Sequence, residues 1–67
     1  MKLLRLKAVM EATGLGRSSI YKFIAQGTFP KPVSLGGRNV GWVDHEIEEW
    51  IAERVADRDR ILNQAAA

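Results

Sequence analysis

The first part of the chain contains two short runs of apolar residues at helical spacing, separated by a glycine. The first run predicts a helix over Lys7–Thr13, and Gly14 follows at the position where a left-handed residue commonly ends a helix. The second run predicts a helix from Arg17 to about Gln26, with Gly27 as its stop signal. The positions that share the two inner faces are Leu6, Val9, Met10 and Thr13, then Ile20, Phe23 and Ile24. Together with Leu15, this spacing is typical of a helix-turn-helix, whose inner positions must be apolar.

The pattern changes after the second helix, where Pro30 and Pro32 exclude a continuous helix. Beyond the prolines, residues 33–35 and 40–42 alternate apolar with small or polar side chains, which is typical of short strands. Residues 36–39, with the sequence Gly-Gly-Arg-Asn, lie between them and predict a four-residue turn. The sequence therefore predicts a β-hairpin with a basic tip.

The last predicted helix begins at Asp44, a residue type that favours the N-cap, and extends to about Leu62. Acidic residues crowd its first turns, where they complement the positive end of the helix dipole. Its apolar stripe consists of Ile47, Trp50, Ile51 and Val55. The predicted fold is mainly α with a small β-hairpin, a winged helix-turn-helix in the order α-α-β-β-α. It occupies residues 1–56, and residues 57–67 form the helix end and a frayed tail.

The net charge of +2 conceals a strong separation of charge along the chain. Residues 1–43 contain seven basic side chains and Glu11 as their single acid, a net charge of +6. Residues 44–67 contain three arginines and seven acids, a net charge of −4. The basic side chains of the first part are Lys2, Arg5, Lys7, Arg17, Lys22, Lys31 and Arg38. Such a basic end is expected to face a polyanion, and the acidic end could contact another protein.

Composition excludes several other classes of function. The chain of 67 residues is long enough for one modest core, and it contains no cysteine and a single histidine, His45. No metal, cofactor or disulfide is therefore expected, and no set of side chains forms a catalytic arrangement, so an enzyme is not expected. Arg5 and Lys7 interrupt the apolar N-terminal stretch, which is shorter than the roughly 20 residues of a membrane span. A cytoplasmic, nucleoid-associated protein without membrane contact is expected.

The outer face of the second predicted helix provides the main candidates for DNA contact. If the apolar stripe faces inward, Ser18, Tyr21 and Lys22 face outward, with Arg17 and Ser19 near the helix start. Serine and tyrosine hydroxyls can bond phosphates, and arginine or lysine can read guanine or neutralise the backbone. The alternative is an ordinary solvated helix face, which this pattern alone does not exclude.

The hairpin adds three further candidates, Lys31, Arg38 and Asn39. Arg38 lies beside two glycines that would allow the backbone to approach a duplex, so this arginine could enter the minor groove or bind phosphate. Lys31, held between two prolines, could contact phosphate at the hairpin base. The alternatives are a solvated charge at the turn for Arg38 and a simple turn former for Asn39.

Trp42 and Trp50 could act as stacking platforms for single-stranded bases or as core residues. Both fall at apolar positions of their segments, and a chain this short needs large side chains to fill its interior. The core interpretation is therefore favoured.

Several segments together resemble one known family, the AlpA family of phage-type transcriptional regulators. These segments are residues 15–24 (Leu-Gly-Arg-Ser-Ser-Ile-Tyr-Lys-Phe-Ile), 29–33 (Phe-Pro-Lys-Pro-Val), 35–38 (Leu-Gly-Gly-Arg), 41–42 (Gly-Trp) and 47–51 (Ile-Glu-Glu-Trp-Ile). The resemblance implies a MerR-like winged-helix DNA-binding domain, related to excisionases, that controls prophage or mobile-element genes. It also implies that Arg17, Ser18, Ser19, Tyr21 and Lys22 form the recognition surface and that Arg38 is the wing contact. Gly16 stands where the family usually has serine, so the second helix loses a side-chain N-cap.

The function expected from these observations is a sequence-specific regulator that binds double-stranded DNA. A module this small covers only about 600–1,000 Å² of DNA interface, so self-association or cooperative binding on DNA is expected to support specificity. No small-molecule ligand is expected, because the effector domain of MerR-type regulators has no counterpart in this sequence. Two alternatives remain open: an excisionase-like architectural factor that bends DNA, and a protein-interaction adaptor that works through its acidic helix.

Overall fold

The computed structural model describes the backbone of residues 1–66 and the side chains of residues 1–63, and it contains the predicted helices and hairpin. The elements, in chain order, are β1 (Leu3–Leu4), α1 (Leu6–Thr13), α2 (Arg17–Ala25), β2 (Val33–Gly36), β3 (Asn39–Val43) and α3 (Asp44–Ala66). The predicted fold class, mainly α with a small antiparallel hairpin in a winged-helix arrangement, is confirmed. The additional strand β1 was not predicted.

The turn between α1 and α2 depends on a glycine in the left-handed conformation. Gly14 caps α1 with a φ of 73°, and its N–H donates to the carbonyl of Met10 at 2.8 Å. A residue with a Cβ would be strained at this φ, which is why a glycine ends the helix here. Gly16 precedes α2 in extended conformation and provides no side-chain cap, as the sequence predicted.

The core lies where the inner faces of all three helices meet β3. Its buried residues are Val9, Ile20, Phe29, Trp42 and Ile47. The other apolar side chains predicted to line the helix-turn-helix are partly buried and pack against this cluster: Leu6, Met10, Leu15, Phe23 and Ile24. The predicted apolar framework of the two short helices is thus confirmed.

Both tryptophans pack with the core, as predicted, and each indole N–H donates to a nearby backbone carbonyl. Trp42 is fully buried, and its Nε1 donates to the carbonyl of Pro30 at 3.1 Å. Trp50 is half-buried; its Nε1 donates to the carbonyl of Thr28 at 2.7 Å, and its ring meets Phe29 edge-on at 4.9 Å. These two hydrogen bonds fasten the proline-containing loop before β2 to the hairpin and to α3.

β3 is the central strand of a three-stranded antiparallel sheet in the order β1-β3-β2. Leu3 pairs with Val43 and Leu4 with Trp42, so the N-terminus covers the edge of β3 that the hairpin leaves open. Hydrogen bonds to β1 thereby satisfy backbone groups that would otherwise form an exposed sheet edge.

The hairpin turn is shorter than the predicted four residues. Gly36 pairs with Asn39, so the connection consists of Gly37 and Arg38 alone. Gly37 has a φ of 58°, and glycine at the first central position is typical of a type II′ turn, whose twist matches that of antiparallel strands. The strand register shifts between Ser34 and Gly36, so β2 has one extra residue opposite β3 just before the turn.

The last helix begins at the predicted residue but extends further than predicted. α3 runs to Ala66, whereas the sequence pattern suggested an end near Leu62. The predicted fraying includes Ala67, which lies outside the described residues. No helix within residues 1–66 is both long and apolar enough to cross a membrane.

Asp44 joins the start of α3 to the N-terminus. Its Oδ1 accepts hydrogen bonds from the N–H groups of Lys2 at 3.1 Å and His45 at 2.8 Å, and its own N–H donates to the Lys2 carbonyl at 2.8 Å. The backbone hydrogen bond from Lys2, together with that from His45, holds the pKa of the Asp44 carboxyl below its ordinary value. The carboxylate therefore helps to hold β1 against the sheet.

Replacing Asp44 with asparagine is expected to lower the melting temperature at pH 7 and to have a smaller effect in acid. Because the folded-state pKa is lowered, the carboxylate stabilises the fold above the unfolded pKa of about 4 and loses this effect as pH falls through the folded value. Thermal melts of both proteins at pH 7 and at about pH 2.5 measure the difference. A gap between the two melting temperatures that does not shrink in acid would contradict this role; Glu48→Gln is the matched control on the same helix.

Candidate nucleic-acid interface

The outer face of α2 is exposed as predicted because its apolar residues are directed into the core. Ile20 is fully buried on the inner side, whereas the predicted contact residues Arg17, Ser18, Tyr21 and Lys22 are exposed. Ser19 is half-buried and is the least accessible of the predicted residues on this helix. The face thus combines two cations, a phenol and a hydroxyl within two helical turns.

Arg17 and Tyr21 form a pair on this face. The Arg17 Cζ lies 5.9 Å from the centre of the Tyr21 ring, one helical turn further along α2. A cation–π contact of this kind contributes about 0.5–1 kcal/mol at an exposed site. The contact favours a conformation in which the Arg17 guanidinium lies along the helix face. Part of the side-chain ordering that DNA binding would require is therefore present in the free protein.

The hairpin tip carries an exposed arginine on a short turn. Arg38 is the second residue of the turn, and among the side chains of residues 1–63 it has no ion-pair partner. Asn39 begins β3, and its Oδ1 accepts a hydrogen bond from Nη2 of Arg5 at 3.3 Å. The structure therefore places Arg38 as a projecting cation and Asn39 in a contact with the N-cap residue of α1.

Arg5 is a residue of this region that sequence reasoning did not select. It precedes α1 and reaches the start of β3, a residue 34 positions away in the sequence. No local pattern reveals such a pair, because only the order of strands in the sheet brings the N-terminus beside β3. Arg5 contributes a further basic group next to the hairpin.

Lys31 occupies a different setting from the other predicted contacts. It is exposed and lines a cavity of about 660 Å³ between the loop before β2 and α3. Of the charged residues of α3, three acids and one base line the same cavity: Glu46, Glu49, Glu53 and Arg54. The structure thus associates Lys31 with the acidic helix rather than with the exposed face of α2.

The ion pairs of the described side chains all lie within α3. His45 pairs with Glu49 at 2.7 Å, and Arg54 pairs with Asp57 at 2.9 Å. Arg60 also contacts Asp57, and Arg58 contacts Asp59 at 2.9 Å. In contrast, none of the seven basic side chains before Asp44 pairs with a carboxylate among residues 1–63. The positive charge of the first part of the chain is therefore uncompensated locally, whereas the arginines of α3 are neutralised by their neighbours.

A helix-turn-helix followed by a hairpin and a third helix defines a winged-helix protein, here with a basic second helix and an arginine at the wing tip. The family model described as "Prophage CP4-57 regulatory protein (AlpA)" matches residues 2–55, and the chain belongs to this AlpA family.

Two relatives are similar over most of the chain. The "Uncharacterized protein ORF88" of Enterobacteria phage P4 is 49% identical over 59 residues, which cover 88% of this chain and 67% of the relative. The "DNA-binding transcriptional activator AlpA" of Escherichia coli (strain K12) is 40% identical over 60 residues, which cover 81% of this chain and 86% of the relative.

Proposed function

We propose that this protein is a sequence-specific regulator of transcription that binds double-stranded DNA in the cytoplasm, in a phage or mobile-element context. Membership of the AlpA family and the name of the Escherichia coli relative support this class of function. In the proposed complex, α2 enters the major groove, which is wide enough for a helix, and the hairpin tip lies on the backbone or in the neighbouring minor groove.

The observation that carries the proposal is the distribution of unpaired positive charge. Phosphate neutralisation by lysine and arginine supplies most of the non-specific affinity of a DNA-binding protein. The excess of acidic residues after Val43, a net charge of −4, repels phosphate instead. The unpaired cations lie before Asp44, among them Arg17 and Lys22 on α2 and Arg38 at the wing tip. This distribution favours the α2 and wing surface over α3.

Each proposed contact has a distinct chemical role. Lys22 and Arg17 can donate to guanine edges or to phosphates, whereas the hydroxyls of Ser18, Ser19 and Tyr21 serve as phosphate or base-edge partners. Arg38 is the proposed wing contact, and Asn39, whose Oδ1 accepts a hydrogen bond from Arg5, is a further proposed contact at the start of β3. Lys31 is the proposed phosphate contact with the least support, because it shares its cavity with carboxylates of α3.

Arg38→Ala is expected to weaken binding to duplex DNA by about tenfold. The substitution is also expected to make the log–log salt slope shallower by the amount that one phosphate contact contributes. Four or five phosphate contacts predict a log–log salt slope of about −4 for the wild type, and each lost contact removes about 0.9 from it. Fluorescence-anisotropy titrations against a pool of labelled duplexes at several salt concentrations measure both quantities. The matched control is Arg60→Ala, which removes an arginine that is paired within α3.

Two results would contradict the proposed DNA binding. One is the absence of binding by the wild type at low salt, and the other is binding with no dependence on salt. An Arg38→Ala protein that binds as tightly as the wild type would remove the hairpin tip from the proposed interface.

A further inference from the structure

The second half of α3 extends beyond the core and exposes apolar side chains. Among the described side chains of the helix, Ile51 is the last that packs against the core cluster. Beyond it, Val55, Ile61 and Leu62 are 43%, 65% and 57% exposed. The molecule is correspondingly elongated, 52 Å in its longest dimension against 24 and 19 Å in the others. The family match ends at residue 55, so most of this segment lies outside the part that the family defines.

Four residues of this segment form a single stripe along the helix. Val55, Arg58, Asp59 and Leu62 follow the spacing i, i+3, i+4, i+7, which places side chains on one helical face. We call these four residues the distal stripe. The side chains of Arg58 and Asp59 are 66% and 54% exposed, and each end of the stripe is an exposed aliphatic residue.

The order of side chains in the distal stripe is complementary to its own reverse. Read forwards it is aliphatic, positive, negative, aliphatic; read backwards it is aliphatic, negative, positive, aliphatic. An antiparallel copy of the same helix therefore presents an opposite charge to each charge and an aliphatic side chain to each aliphatic one. Self-complementarity of this kind is the requirement for an interface with twofold symmetry.

We propose that the distal stripe binds a second copy of this chain in antiparallel orientation, with the twofold axis between Arg58 and Asp59. Val55 of one copy then packs on Leu62 of the other, and Arg58 of each copy meets Asp59 of the other. Within each chain Arg58 already donates to Oδ1 of Asp59 at 2.9 Å, so in the dimer each Asp59 carboxylate accepts from its own Arg58 and from that of the other copy. Asp57 does not compete, because it accepts Arg54 and Arg60 within the helix. A parallel copy would instead place arginine opposite arginine, which is unfavourable.

The short length of the stripe sets the strength of this interface. Four residues from each helix form a contact much smaller than the standard protein–protein interface, so we expect a dissociation constant on the order of 100 µM. With so weak an interface, the protein would be monomeric in dilute solution and would dimerise when two copies are held close together. If the proposed DNA binding holds, a twofold dimer selects inverted repeats rather than direct repeats; the dimer itself does not depend on DNA.

Sedimentation equilibrium of the full chain without DNA tests the interface by charge reversal. Arg58→Asp and Asp59→Arg each place four like charges around the twofold axis, and each is expected to weaken the dimer at least tenfold. The protein that carries both substitutions has the two charges exchanged, so its stripe is again complementary to its reverse. We expect it to dimerise within about threefold of the wild type. These exposed residues lie outside the core, and circular dichroism checks that every variant folds.

Crosslinking tests the orientation, since the chain has no cysteine of its own. A Val55→Cys protein mixed with a Leu62→Cys protein is expected to form the mixed disulfide, and neither protein alone is expected to crosslink to a comparable extent. Crosslinking of each protein with itself would overturn the antiparallel arrangement. A wild type that remains monomeric up to about 1 mM, or an exchanged-charge variant that dimerises no better than the single reversals, would overturn the interface.

Discussion

Replacing Trp42 with alanine is expected to leave most of the chain unfolded at room temperature. The side chain is fully buried at the centre of the core, and its indole N–H donates to the carbonyl of Pro30. Truncation of a buried tryptophan costs about 3–5 kcal/mol, and loss of the hydrogen bond adds about 1 kcal/mol. A domain of this size has a total stability of only about 3–10 kcal/mol, so the substitution removes most or all of it.

Thermal melts followed by far-ultraviolet circular dichroism measure this effect. Trp42→Phe is the graded control, because it keeps most of the volume and loses the hydrogen bond, and it should retain a cooperative transition at a lower temperature. Tyr21→Ala removes an aromatic ring that is 40% exposed and should change stability by less than about 1 kcal/mol. A Trp42→Ala protein that melts cooperatively near the wild-type temperature would show that Trp42 is not the centre of the core.

Reversing two cations of the proposed interface, Lys22→Glu together with Arg38→Glu, is expected to weaken duplex binding by at least about hundredfold. The change removes one phosphate contact from α2 and one from the wing, and it places a carboxylate near the DNA backbone at each position. Both side chains are exposed, so the fold should be unaffected. Anisotropy titration at one fixed salt concentration gives the affinity ratio directly.

The matched control reverses two charges of the opposite sign on α3, Glu48→Lys with Glu53→Lys. Both glutamates are exposed and make no ion pair among residues 1–63. This variant should bind duplex DNA as well as the wild type or slightly more tightly, since it lowers overall repulsion without altering the proposed contacts. The opposite pattern, in which changes on α3 abolish function and changes on α2 and the wing do not, would favour a protein-interaction adaptor.

Local patterns in the sequence predict the elements whose structure depends on near neighbours. The spacing of Val9, Ile20 and Phe23 and the position of Gly14 predict the helix-turn-helix, because helical periodicity and the left-handed cap are properties of a few consecutive residues. The same periodicity predicts which face of α2 is exposed. The end of α3 was predicted too early, since the mixed charges after Val55 weaken the apolar stripe without preventing a helix.

Features that depend on distant residues could not be predicted in this way. β1 is two residues long and forms only because Leu3 and Leu4 pair with the far end of β3. The bonds of Asp44 to the N-terminal backbone and of Arg5 to Asn39 follow from that pairing. For the candidate interface, the same limit applies to Lys31: its place between two prolines is visible in the sequence, but its proximity to the carboxylates of α3 is not.

The most direct test of DNA binding through α2 and the wing is a nuclear magnetic resonance titration, in which the ¹⁵N-labelled protein is titrated with a duplex that it binds. We expect amide shifts to concentrate in residues 17–22 and 37–39 and the exposed acidic face of α3 to change little. Shifts that concentrate on Glu48, Glu49 and Glu53, with α2 and the hairpin tip unaffected, would contradict DNA binding through α2 and the wing.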